Sequence, residues 1–155
     1  MTENNTGQPR TPSKAHKLLD VFVGKWSTRG QTKATPSEPA IDIIGTDTYK
    51  WLPGEFFMFH EVDVRMGDNE ANAIEIIGYE PLSQTYPTQF FDNLGNTGTF
   101  EASVRDGVWT FAAESERAEV VISEDSNTMT INWERTTDGS NWLPWMDLEL
   151  IRIRD

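Results

Sequence analysis

Phe56-Phe57-Met58-Phe59-His60-Glu61-Val62-Asp63-Val64-Arg65-Met66, followed by Gly67-Asp68-Asn69, is the stretch on which the fold reading turns. Side chains alternate between the two faces of a strand. Phe56, Met58, His60, Val62 and Val64 therefore share one face, and Phe57, Phe59, Glu61, Asp63 and Arg65 share the other. The first stripe is apolar except at His60. This predicts a β-strand over 55–66 with one face turned to the core. Gly67 then accepts, at little steric cost, the left-handed backbone a tight hairpin turn needs.

The same pattern spreads outward in both directions. From residue 25 on, Gly, Pro, Asn and Asp recur at the spacing of an all-β domain. They cut the chain into ten runs: 25–33, 41–51, 55–66, 71–79, 84–92, 97–105, 107–115, 117–124, 127–136 and 144–154. Arg105-Asp106-Gly107 marks a second hairpin, and Asp138-Gly139 closes a longer link. In the seventh run Trp109, Phe111 and Ala113 alternate with Val108, Thr110 and Ala112. In the last, Met146, Leu148, Leu150 and Arg152 form the inward candidate face, opposite Asp147, Glu149, Ile151 and Ile153. The links are short, and no second helix is long enough for a parallel crossover, so the strands form an antiparallel meander. A meander of this length either closes or exposes long edges. The reading is all-β, an antiparallel barrel of about ten strands, with a β-sandwich as the alternative.

Before the strands, Met1 to Pro12 is polar and reads as a disordered leader, leaving 13–155 as one barrel domain. Ser13 can cap a short helix over Lys14 to about Val23. Ala15, Leu18, Leu19, Phe22 and Val23 make its apolar stripe, and Gly24 ends it.

Composition narrows the partners. Twenty-five acidic residues against 13 basic ones give a net charge of −12, which repels phosphate backbones and anionic lipid. Nucleic acid and membrane are therefore not expected partners. There is no cysteine, which removes disulfides and thiolate chemistry. The two histidines, His16 and His60, are too few for a multi-histidine metal site, and no metal or cofactor is expected. The first twenty residues hold no apolar signal core, and no run is long and apolar enough for a membrane helix. The expected compartment is the cytoplasm. No nucleophile elbow, phosphate-binding loop, dinucleotide fingerprint or HExxH is present.

Gly24-Lys25-Trp26, opening the first strand behind a helix, is similar to the G-x-W start of lipocalin-type barrels. In that superfamily a late-strand arginine packs over the tryptophan at the closed end; Arg152 matches, with Arg135 as the alternative. A longer likeness runs from Leu18 to Arg152. It takes in Leu18-Leu19, Trp51-Leu52-Pro53-Gly54, Ile77-Gly78-Tyr79-Glu80-Pro81, Phe91 through Gly98 and the closing Arg152. In these pieces the chain resembles the bacterial domain of unknown function 1579 family. Glu80 stands where that family usually has Asp, and the hairpin with Trp142, Pro144 and Trp145 departs from it. The resemblance implies a calycin-like (lipocalin-like) barrel and no particular activity. A related group of ten-stranded barrels holds haem through a late-strand histidine, which this chain lacks after residue 60.

Three functions stay open. The first is a binding barrel for a small apolar or aromatic ligand in a cavity of at least about 300 Å³. It would be lined by His60, Tyr79, Asp92, Trp109 and Trp133, while Trp26 and Arg152 are structural. The second is a hydrolase or isomerase using His60 with Glu61 or Asp92; no residue is assigned as catalytic on the sequence alone. The third is an interaction module with a filled core, forming a homodimer through the aromatics of 142–145. Each residue also has a plain structural role: a hydrogen-bonded core histidine, a turn aspartate, or an economical aromatic core.

Overall fold

In the computed structural model, which describes residues 10–154, ten antiparallel strands close into a barrel. They are β1 (Gly24–Thr32), β2 (Asp42–Trp51), β3 (Met58–Met66), β4 (Asn69–Ile77), β5 (Tyr86–Asp92), β6 (Thr97–Arg105), β7 (Val108–Ala112), β8 (Glu116–Ile122), β9 (Thr128–Arg135) and β10 (Leu143–Arg152). Each strand pairs with its neighbours in sequence, and β1 pairs with β10 to close the ring. All ten expected strands are present; seven are shorter than the hydrophobic runs suggest, by one to four residues, and three keep their expected length. The leader expected over residues 1–12 lies, up to residue 9, outside the described residues. No helix among the described residues is long and apolar enough to cross a membrane.

The helix departs from expectation. Ser13 caps it as foreseen, with the His16 side chain returning a contact to the cap. The α-helix α1 nevertheless ends at Lys17, and Leu18–Phe22 tightens into a 3₁₀ segment. At three residues per turn, positions i and i+3 eclipse. Leu19 and Phe22 therefore fall on one edge and are both buried, while Leu18, expected on the apolar stripe, is half exposed. Burial of those two side chains across the barrel end selects the tighter winding.

This segment covers the barrel end that carries the 52–57, 78–85, 106–107 and 123–127 links. Phe22 packs against Tyr49 and Trp109, and the Tyr86 hydroxyl donates to the Ala15 carbonyl at 2.7 Å. Beneath lies the core, with Trp26, Met58, Ile77, Tyr86, Met129 and Leu150 sealed from solvent. Trp26 and Arg152 are register partners across β1 and β10. The indole N–H of Trp26 donates to the Phe22 carbonyl at 2.9 Å. The Arg152 guanidinium lies 4.2 Å from the Trp26 ring centre. It also donates to the carbonyls of Ser126, Val23 and Val21. The charge on the inward stripe of β10 thus finds three backbone acceptors and an aromatic face.

Gly24 makes this closure sterically feasible. Its φ is +132°, and a β-carbon there would lie 2.5 Å from Nη1 of Arg152. Gly24→Ala is expected to lower the folding free energy by about 2 kcal/mol, through backbone strain and displacement of the guanidinium. Urea denaturation checks this. A loss of only a few tenths would show that the close approach is not needed.

Candidate functional site

The covered end is filled, but the other half of the barrel is hollow. A chamber of about 220 Å³ opens toward the end bearing the 33–41, 67–68, 93–96, 113–115 and 136–142 links. Small inward residues make the room: Ala71 and Ala73 on β4 and Ala118 on β8. The chamber is smaller than the sequence suggested because Tyr49, Phe111 and Trp133 project into it and the 3₁₀ segment fills the space below.

Its walls differ in character. The side formed by β7–β10 is apolar, with Phe111, Val120, Ile131, Trp133 and Leu148. The side formed by β1–β4 carries one inward polar residue on each strand: Thr28, Asp47, His60 and Glu75. Register explains the convergence. His60 lies directly opposite Glu75 on β4 and Tyr49 on β2, with Asp47 one inward position further along β2.

The four residues form a chain. His60 Nε2 lies 2.7 Å from Asp47 Oδ2, and His60 Nδ1 lies 2.7 Å from Glu75 Oε1. The Thr28 hydroxyl donates to Asp47 Oδ1. The Tyr49 ring stacks on the imidazole at 3.8 Å between centres with 9° between planes. Burial alone would lower the imidazole pKa. The hydrogen bonds to Asp47 and Glu75, with the charges of both carboxylates, outweigh it and carry the value to about 9. The balance favours the charged form of His60, held between two carboxylates under an aromatic face. Burial, then the nearby charges of Asp47 and Glu75, push the Tyr49 phenol well above its ordinary value, so its hydroxyl stays protonated.

The residues singled out from sequence separate in space. His60 and Trp133 line the chamber. Trp109 does not: it is buried in the floor between Phe22 and Tyr86. Tyr79 lies just beyond β4 at the covered end, edge-on to His16 and tilted against Tyr86. Asp92 closes the β5–β6 turn by accepting from the N–H groups of Leu94 and Asn96 and from the Asn96 side chain. Those bonds, the Asn96 backbone first, hold its carboxyl below the usual range. Glu61 faces outward on β3, so neither carboxylate paired with His60 on sequence grounds reaches it. Trp142 and Trp145, the expected dimer contact, each lie under an arginine of the same chain, Arg117 at 4.1 Å and Arg135 at 4.8 Å.

Asp47, Glu75, Thr28 and Tyr49 were not singled out from sequence. The signal was available: Asp47 and Glu75 are lone acids on otherwise inward stripes, as His60 is a lone histidine on its own. Among the described residues no group of three acidic or histidine side chains is arranged to hold a metal ion.

Comparison with known proteins agrees with the architecture. The protein Rv2717c from M. tuberculosis superposes with a TM-score of 0.69 at 14% identity, over 92% of this chain and 99% of that one. The S-type phycobiliprotein lyase CPES from Guillardia theta superposes with a TM-score of 0.64 at 8% identity, over 95% of this chain and 99% of that one. At such identities the likeness is one of fold. No curated protein matches the sequence. A family model described as a protein of unknown function matches residues 11–152.

Proposed function

The chain belongs to the DUF1579 family, whose description assigns no activity, and from the site itself we propose that the protein binds a small, largely apolar molecule inside its barrel. The observation that carries this is a hollow chamber with one apolar wall and a few convergent polar groups on the other, the usual character of a small-molecule site. The size of the occupant follows from the volume. An apolar cavity of about 150 Å³ takes up benzene. At 220 Å³ the chamber suits a body of roughly nine non-hydrogen atoms by the same ratio. Trp133 and Phe111 supply aromatic contact area, and His60 with its carboxylates supplies the polar end.

General-base chemistry at His60 draws no support from the geometry. Both ring nitrogens are engaged by carboxylates, so the imidazole has no free lone pair to accept a proton. Binding without turnover is the simpler reading.

The test is an NMR titration of 15N-labelled protein with toluene, benzyl alcohol and benzylamine. At least one should give saturable shifts confined to chamber residues, including the Trp133 indole N–H. Ala73→Leu, which places a larger side chain in the chamber, should abolish them while leaving the spectrum folded. If none of the three binds, the barrel is not a receptor for molecules of this size and the reading fails.

A further inference from the structure

The polar wall carries more information than a generic hydrogen-bonding surface, because its charge can be counted. Each nitrogen of His60 lies 2.7 Å from a carboxylate oxygen. Two contacts of that length need a proton along each. With both protons on the ring, one cation faces two anions. With one proton on a carboxylate, a neutral ring faces one acid and one anion. Either way Asp47, His60 and Glu75 together carry one net negative charge. The three side chains are at most 17% exposed, and the opposite wall of the chamber is apolar. An uncompensated charge in such surroundings is costly unless something pairs with it.

The acceptors left over belong to residues that line the same chamber. Asp47 is used at both oxygens, one by Thr28 and one by His60. Glu75 is used at Oε1 only, and its Oε2 has no partner among the described residues. Tyr49 is 5% exposed and lines the chamber, and its hydroxyl also has no hydrogen-bond partner among the described residues. A buried tyrosine hydroxyl ordinarily has one. No cationic side chain besides His60 lines the chamber.

We propose that the chamber selects a compact organic monocation, a primary amine or amidine on an apolar body about the size of a phenyl ring, with its charged end on Glu75 Oε2 and the Tyr49 hydroxyl. This rests on the reading of the chamber as a ligand site and adds the chemical class of the ligand. An ammonium group donates to both free acceptors and neutralises the residual charge. The ring fills the space between Trp133 and Phe111. An anion such as a carboxylate would face the residual negative charge and is excluded.

Benzylamine, benzyl alcohol and benzoate are probes of nearly one shape and three polar ends. At pH 7 benzylamine should bind about tenfold more tightly than benzyl alcohol, as a charge-assisted hydrogen bond warrants, and benzoate should not bind. Glu75→Gln removes the net charge and should abolish the preference for benzylamine over benzyl alcohol. Should Glu75→Gln fail to fold, Tyr49→Phe is the second variant. It leaves the charges in place and should weaken benzylamine severalfold while leaving toluene unchanged. If benzyl alcohol binds as tightly as benzylamine, or benzoate binds better, the cation inference is overturned while the chamber reading stands. If no probe binds, both fall together.

Discussion

Replacing His60 with leucine is expected to lower the folding free energy at pH 7 by about 3–5 kcal/mol, the usual cost of removing one partner from a buried ion pair. Asp47 and Glu75 would be left buried on the chamber's polar wall with no cation between them. The effect should depend on pH in a definite direction. The folded protein raises the imidazole pKa from 6.5 to about 9. A raised value means that the stabilisation is complete below pH 6.5 and is lost as pH climbs toward 9. Over that window the wild-type protein should lose on the order of 3 kcal/mol through the imidazole, a group that His60→Leu lacks. Urea titrations of both proteins at pH 6, 7.5 and 9 provide the check, and the gap should narrow with rising pH. Parallel profiles, or a cost below about 1 kcal/mol at pH 7, would mean that the imidazole is not held as a cation.

Trp26→Ala is the second substitution with a large expected effect. Trp26 is wholly buried, and large aromatic truncations of this kind cost about 3–5 kcal/mol. Here the loss has three parts: the packed indole, its N–H bond to the Phe22 carbonyl, and the aromatic face under Arg152. Trp26→Phe separates them. It keeps a ring beneath the guanidinium but leaves the Phe22 carbonyl without its donor, so it should cost about 1–2 kcal/mol. Thermal and urea unfolding of the two variants measure the split. A Trp26→Ala variant within 1 kcal/mol of wild type would show that the floor repacks without its tryptophan.

The barrel was legible in the sequence because its signal is periodic. Alternation along 56–66 and 146–152 names the inward residues, and the turn residues mark where each strand stops. The helix was less legible. Leu18, Leu19 and Phe22 fit an α-helical stripe on paper, and only the space left at the barrel end decides for 3₁₀ winding. In the site, His60 stood out as a polar residue on an apolar stripe. Asp47 and Glu75 obey the same rule but lie among residues less uniformly apolar, Gly45 and Thr48 near one and Asn72 and Ala73 near the other. Alternation assigns a face, but it does not say which inward positions of different strands come level with one another. Level is set by register, and register put Glu75 opposite His60 while turning Glu61 to solvent. Tyr79, Asp92 and Trp109 were drawn into the expected cavity for their chemistry. Their positions along the strands, near one barrel end or the other, keep them out of it.

The seam between β1 and β10 bears on how the chain reaches this structure. Every other pairing joins strands adjacent in sequence and can zip locally as the chain is synthesised. The last pairing joins opposite ends, and Trp26 waits for Arg152 until the tenth strand has emerged. Until then β1 and the growing end present unpaired edges, and the floor has no guanidinium over its indole. Contacts so distant in sequence slow folding, to milliseconds or longer in barrels of this type. The interval before ring closure is when the chain is most exposed to edge-to-edge association. The excess of acidic over basic residues would keep such half-built barrels apart through mutual repulsion.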